Sequence, residues 1–262
     1  ERCKGNEPLE HADVILLCVP SWNLREIQPM LTKASSRAVF VSFSKGIEQK
    51  VHKRVDEVLR DILPSNAMFA LVSGPMLSAE LHLGLPGAGV AAVSSQDVFR
   101  VVRELFEGTP LLLSYSDDLP GVALCGVLKN IYAMIFGITD GLQLGSNARG
   151  IVCTHALEES VRIVESLGGN RETVSSYAFI GDLMATGTSV HSRNYAYGFN
   201  IGSQGVSSGE CEGIRSYAGL KSILNNSEEY RLYSLLGRVL AESKSARHEF
   251  NNYFQSLSFQ MI

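Results

Sequence analysis

The chain has 262 residues, 45% hydrophobic and 19% charged, an ordinary globular composition with enough apolar material for a large core or two domains. A net charge of -4, with no block of Lys or Arg, argues against nucleic acid as a main partner, because binding to a phosphate backbone needs clustered cations. The five cysteines are odd in number and form no C-x-x-C pair, which predicts reduced thiols in a cytoplasmic protein; the six histidines avoid metal-ligand spacing, which predicts no metal.

The polar opening residues give no signal-peptide pattern. Apolar, β-branched runs then predict strands at 13–19, 38–43, Met68–Ser73, 90–93 and 111–114. Helical patterns lie between them at about 22–33, 51–63 and 97–106. Strand and helix in that alternation predict a parallel sheet covered on both faces. Ligands of such sheets sit outside the carboxyl ends of the strands. Pro20-Ser21-Trp22, Ser44-Lys45-Gly46 and Ser73-Gly74-Pro75 fall at those ends.

After Tyr115 the strand pattern stops, which divides the chain into an α/β domain, 1–116, and a helical domain, 117–262. Asp117 is placed to cap a helix running to Thr139, and Ser146 or Asn147 to cap another ending at Leu167-Gly168-Gly169. Further helical patterns cover 171–179, 213–224 and 230–254. The membrane-like stretch 119–139 is broken by Pro120 and three glycines and contains Lys129 and Asn130, so it reads as a buried core helix and not a span.

Lys129 is the one charged side chain between Asp118 and Asp140. A lone ammonium is costly to bury, so it is paired, functional, or reaches solvent along its own stem. On its helical face lie Cys125, Gly126, Tyr132 and Ala133, small enough in part to leave room for a ligand. The polar stretch 181–194 reads as a loop that can aim donors at a small anion. Arg193 supplies a planar fork, and Thr186, Thr188, Ser192 and Asn194 supply further hydrogen bonds. Asp182 can orient Lys129 as an acid/base group, with burial lowering the lysine's pKa and Asp182 raising it. Lys45 can reach the cleft from a strand end. Gly87-Ala88-Gly89-Val90-Ala91-Ala92 matches a dinucleotide fingerprint by letter, but its residues read as strand and not as a phosphate-facing helix start.

Several of these segments resemble, in order and spacing, the bacterial-type NAD(P)-dependent glycerol-3-phosphate dehydrogenases. They are Ala12-Asp13-Val14-Ile15 before Val19-Pro20-Ser21, Ser44-Lys45-Gly46-Ile47-Glu48, Ser73-Gly74-Pro75 with Glu80, and Gly84-Leu85-Pro86. Leu128-Lys129-Asn130-Ile131, Thr139-Asp140-Gly141-Leu142, Asn147-Ala148-Arg149, Gly181-Asp182-Leu183, Ser192-Arg193-Asn194 and Glu212-Gly213 follow. The resemblance implies a partial Rossmann-like parallel sheet followed by an all-helical C-terminal domain of the 6-phosphogluconate-dehydrogenase type. It also implies hydride transfer between NAD or NADP and a small phosphorylated three-carbon substrate, interconverting dihydroxyacetone phosphate and sn-glycerol 3-phosphate for phospholipid synthesis.

By the same resemblance Lys129 is the catalytic lysine. Lys45, Gly74, Asp182, Ser192, Arg193 and Asn194 join it in the substrate site. Lys45, Ser78, Arg193, Cys211 and Glu212 contact the cofactor, Cys211 through its backbone. Met76 stands where the family usually has Ser or Thr. The glycine-rich pyrophosphate turn that opens the family lies upstream of the pattern matched here, so the N-terminal unit is expected to be missing. That leaves a second reading, a catalytically silent relative that binds a small phosphorylated ligand. A homodimer is compatible with the helical second domain.

Overall fold

The computed structural model describes residues 7–189, 191–206, 209–241 and 245–257; Cys3 lies outside them. Five strands form one sheet in sequential order: β1 Val14–Leu17, β2 Val39–Ser42, β3 Met68–Ser73, β4 Gly87–Val93 and β5 Leu111–Ser116. All five lie within or beside the runs predicted from the apolar pattern. β1, β2 and β3 pair in parallel, as do β4 and β5. The β3–β4 pair is antiparallel, with Ser73 opposite Val90 and Ala70 opposite Val93, so the sheet is mixed and not wholly parallel. The physical reason is the connection: the chain leaves β3, makes the short helix α3 (Ser78–His82) and re-enters at the same end of the sheet, with no crossover. β4 includes the whole Gly87-to-Ala92 decoy, and it is strand throughout.

The predicted segment 22–33 becomes a 3-10 helix, Ser21–Ile27, running into α1, Gln28–Leu31. Helices α2 (Val55–Ile62) and α4 (Gln96–Leu105) follow, the latter capped by Ser95 accepting from Val98 N. Val98 and Val102 of α4 pack on Val39, Val41, Ala70 and Val72 from the sheet, forming a small core on one face.

The opposite face of the sheet packs on α5, Leu119–Gly141. This helix is long and apolar enough to cross a membrane by length and composition, yet its apolar window is wholly buried inside the protein. Its cap is Asp118, not Asp117: Asp118 Oδ1 accepts from Gly121 N at 2.9 Å, and Oδ2 accepts from Asn170 N and Thr173 Oγ1. One carboxylate thus ties the start of α5 to the turn before α7 (Arg171–Val174). Helix α6, Gly145–Ser166, starts without a side-chain cap, since Ser146 and Asn147 already lie inside it.

A π-helical turn, Tyr177–Gly181, leads into α8, Asp182–Gly187, and then come α9, Arg193–Gln204, and α10, Glu212–Ile223. The predicted 181–194 loop is therefore mostly two helix starts. The 230–254 pattern is covered by α11, Arg231–Ala241, and α12, Ala246–Leu257, and 242–244 lie outside the described residues.

Helix α9 lies backbone to backbone against α5. A Cβ at Gly198 would stand 2.0 Å from Met134 O, and one at Gly137 would stand 2.1 Å from Tyr195 O. Gly141 and Gly202 repeat the contact one turn along. Only glycine permits this approach, and it carries the start of α9 to the middle of α5, beside Lys129.

Candidate active site

Lys129 is 8% exposed in the centre of α5, and its ammonium meets two partners, Asp182 and Thr186, on one helix. Nζ lies 3.3 Å from Asp182 Oδ1 and donates to Thr186 Oγ1 at 3.2 Å. Thr186 donates in turn to Asp182 Oδ1 at 3.0 Å. Asp182 and Thr186 are four residues apart on α8, which puts both on one helical face towards α5. Thr186 is therefore a partner of the lysine, where the sequence alone suggested a generic anion donor.

The other carboxylate oxygen of Asp182 belongs to Lys45. Lys45 Nζ donates to Asp182 Oδ2 at 2.5 Å and to Gly74 O at 3.3 Å. The stem of Lys45 lies against Gly126, where a Cβ would meet its Cγ at 3.2 Å. The room left by a small residue near Lys129 is thus taken by a second lysine and not by a ligand. Gly74 is required by close approach: a Cβ there would meet Ala88 O at 2.4 Å.

This crowding sets the proton affinities. Burial, then the neighbouring Lys45 ammonium, outweigh Asp182 and draw the pKa of Lys129 down to about 8. Burial alone would raise that of Asp182, but Lys45, Lys129 and the hydrogen bonds from Lys45 and Thr186 together hold it below the usual carboxylate value.

The network opens on a cleft of about 550 Å³ at the carboxyl ends of β1 and β2. Its lining includes Ser21, Trp22, Lys45, Met76, Ser78, Lys129, Asn130, Thr186, Ser192, Arg193, Asn194 and Glu212. Ser192 caps α9 by accepting from Tyr195 N, and the first residues of that helix, Arg193 and Asn194, line the cleft, where a helix start carries unpaired N–H groups. Arg193, the first helical residue, is exposed and forms no salt bridge with another described residue. Asn194 donates to Asn130 Oδ1 at 2.8 Å and accepts from Gly213 N at 2.9 Å, keeping one side-chain N–H for the cleft. Thr188 turns away, donating to Met184 O.

Glu212 begins α10 on the far wall. Ser21 donates to its Oε1 at 3.1 Å, and a Cβ on Gly46 would strike both groups at 2.3 Å. Burial pushes the Glu212 pKa up to about 7, against Ser21, Arg215 and Arg193, which favour the anion. The Cys211 thiol faces inward, 3.6 Å from Met134 Sδ, so that residue can offer the cleft its backbone but not its sulfur. Met76 lines the cleft without a hydroxyl. Asn130 and Ser21, which orient Asn194 and Glu212, fall within the sequence motifs but carry no site role there. The signal for Asn130 was its position as a second polar side chain beside Lys129 in an otherwise apolar helix.

The profile of the NAD-dependent glycerol-3-phosphate dehydrogenase C-terminus matches residues 118–251, and that of the N-terminus matches residues 3–99. The chain belongs to the NAD-dependent glycerol-3-phosphate dehydrogenase family. The enzyme named glycerol-3-phosphate dehydrogenase [NAD(P)+] from Lysinibacillus sphaericus is 38% identical over 195 residues, covering 73% of this chain and 58% of that protein. Its counterpart from Staphylococcus carnosus is 36% identical over 200 residues, covering 75% and 60%. The chain thus spans less than two thirds of the length of these relatives. The crystal structure of glycerol-3-phosphate dehydrogenase from Coxiella burnetii superposes with a TM-score of 0.84 at 30% identity, covering 98% of this chain and 80% of that one. In this family member, as in that structure, a strand-built domain is followed by a helical one.

Proposed function

We propose that this chain carries the substrate and proton-transfer machinery of a glycerol-3-phosphate dehydrogenase, interconverting dihydroxyacetone phosphate and sn-glycerol 3-phosphate with NAD or NADP, and that the labour divides between residues 1–116 and 117–262. The observation that supports it is the convergence of Lys129, Thr186, Asp182 and Lys45 on one cleft below the start of α9.

The substrate phosphate is held by Arg193, Ser192 and the free N–H groups of α9, where helix dipole and guanidinium act on the same dianion. This places the central carbonyl oxygen at Lys129 Nζ. As the carbonyl is reduced, negative charge grows on its oxygen, and the ammonium both stabilises that charge and delivers a proton. With its pKa near 8, Lys129 can also take the proton back in the oxidative direction. Asp182 and Thr186 fix the direction of the Nζ–H bonds, and Lys45 keeps Asp182 ionised.

The dinucleotide, when bound, supplies or receives the hydride at the substrate carbon. The cleft fits such a group: it is wide, it lies at strand ends, and the glycine at position 46 lets Ser21 and Glu212 close together on its wall, where a Cβ would strike both. Lys45, Ser78, Arg193, Glu212 and the Cys211 backbone would hold it. A cytoplasmic location agrees with the four free cysteines among the described residues, and a homodimer is the assembly to test. The silent-binder reading has no observation in its favour.

Oxidation of reduced nicotinamide dinucleotide driven by dihydroxyacetone phosphate tests this function. Lys129→Ala should lose on the order of 10²–10⁴-fold in kcat. An unchanged rate in that variant would remove Lys129 from the mechanism.

A further inference from the structure

We infer that the cleft is also a covalent trap for short phosphorylated aldehydes, which form an imine with Lys129; the inference rests on the phosphate-binding role proposed for Arg193 and α9. Three features carry it. Lys129 is one of the two lysines lining the cleft, and it is the one whose nitrogen is not clamped by a carboxylate oxygen at short range. Lys45, by contrast, is held at 2.5 Å by Asp182 Oδ2 and again by Gly74 O. Beside Lys129 stands Thr186, a hydroxyl that accepts from Nζ and donates to Asp182, and so can pass a proton in either direction. Burial next to a second ammonium favours the neutral, nucleophilic amine.

The geometry selects the ligand class. A phosphate on Arg193 and the α9 N-terminus that brings a ketone oxygen to Lys129 brings with it a carbonyl carbon one CH2 away from the ester oxygen. Glycolaldehyde phosphate has its aldehyde carbon at that same place, without the second carbon substituent that shields and deactivates a ketone. In the reaction the Lys129 lone pair forms a C–N bond as the C=O π bond breaks. A proton passes from nitrogen to the new alkoxide by way of Thr186. The remaining nitrogen proton then passes by the same route to the hydroxyl, the nitrogen lone pair closes C=N as the C–O bond breaks, and water leaves. One water is lost and nothing is oxidised or reduced.

The test treats the chain with glycolaldehyde phosphate and cyanoborohydride, whose hydride fixes the imine as a secondary amine, and locates the label by peptide mass spectrometry. The expected result is a single adduct at Lys129 that dihydroxyacetone phosphate suppresses and whose rate rises through about pH 8. Unphosphorylated glycolaldehyde should label exposed lysines without preference. Arg193→Ala should slow the Lys129 adduct by roughly tenfold or more, as for loss of a charge-assisted hydrogen bond to phosphate. Lys129→Arg should abolish it, with the fluorescence of Trp22, the one tryptophan in the chain, confirming an intact fold.

Label confined to Lys45, or spread over surface lysines regardless of phosphate, overturns the inference. Calorimetric titration with dihydroxyacetone phosphate separates the two ways of failing. If that ligand binds in an Arg193-dependent manner but no Lys129 adduct forms, the trap is wrong and the phosphate site stands. If it does not bind, both fall together.

Discussion

Lys45 and Lys129 hold opposite oxygens of one carboxylate: Lys45 Nζ is 2.5 Å from Asp182 Oδ2, and Lys129 Nζ is 3.3 Å from Oδ1. The two cations come from different halves of the chain and would repel each other without the anion between them. Asp182→Asn removes that anion and leaves the buried Lys129 and the half-buried Lys45 ammonium groups facing a neutral amide. Loss of one partner from a buried charge network costs about 3–5 kcal/mol. Urea unfolding should show a loss of that order, recovered in part in a Lys45→Met, Asp182→Asn double variant. Equal stability of wild type and Asp182→Asn would mean that water, and not Asp182, compensates the lysines.

The pH dependence of the two directions should cross. The pKa of Lys129 is about 8, below its ordinary lysine value because burial and Lys45 disfavour the ammonium. Reduction needs the protonated form, so kcat for reduction should fall as pH rises through about 8. Oxidation needs the neutral amine, so its kcat should rise over the same interval. Paired pH–rate profiles measure this, and profiles that move in parallel in both directions contradict the assignment.

Glu212 gives a stability signature with the opposite sign. Its folded pKa is raised to about 7 by burial, so the folded state binds a proton that the unfolded chain has already released. Stability from this group falls as pH rises from about 4.5 to about 7 and is flat beyond. Glu212→Gln carries no such charge, so the variant should gain on the wild type across that window. Denaturant midpoints at pH 5 and pH 8 decide it.

Arg193 is exposed and without a salt bridge among the described residues, so its loss should spare the fold. Arg193→Ala is expected to raise KM for dihydroxyacetone phosphate by about 10- to 100-fold, the scale of one or two charge-assisted hydrogen bonds. It should leave the weak turnover of unphosphorylated dihydroxyacetone little changed. A similar loss on both substrates would assign Arg193 to the cofactor alone.

The α5–α9 contact predicts a sharp contrast between two Gly→Ala changes. At Gly198 the new Cβ meets the Met134 carbonyl at 2.0 Å, an obstacle made of backbone. Thermal unfolding should report a loss of about 1–3 kcal/mol or more from overpacking. At Gly150, inside α6, a Cβ meets nothing within 4 Å, and the same change should stabilise by about 0.4–1 kcal/mol through the unfolded chain.

Much of this architecture was legible in the sequence. Strand positions followed from β-branched runs, and the core helix from an apolar stretch holding one lysine, because both signals are local and depend on burial of neighbouring side chains. The 181–194 stretch misled in part. Its glycines and hydroxyls look like loop chemistry, yet Asp182 and Thr186 share a helical face, and Ser192 also caps α9 by accepting from Tyr195 N. Capping by Asp118 in place of Asp117 was equally hidden, since the choice depends on Thr173 and Asn170 arriving from a distant turn.

By itself, then, the sequence determined the order of elements, the change from strand to helix after β5, and the presence of one lysine that had to be buried at a cost. Only the tertiary structure decided that β4 runs against β3, that Gly126 makes room for Lys45, and that Lys45 meets Asp182 across 137 residues of chain. Periodicity and propensity act over a few residues, whereas the proton affinity of Lys129 depends on how closely separate elements approach. That approach is set by packing, here by glycines that let α9 and Lys45 come up against α5.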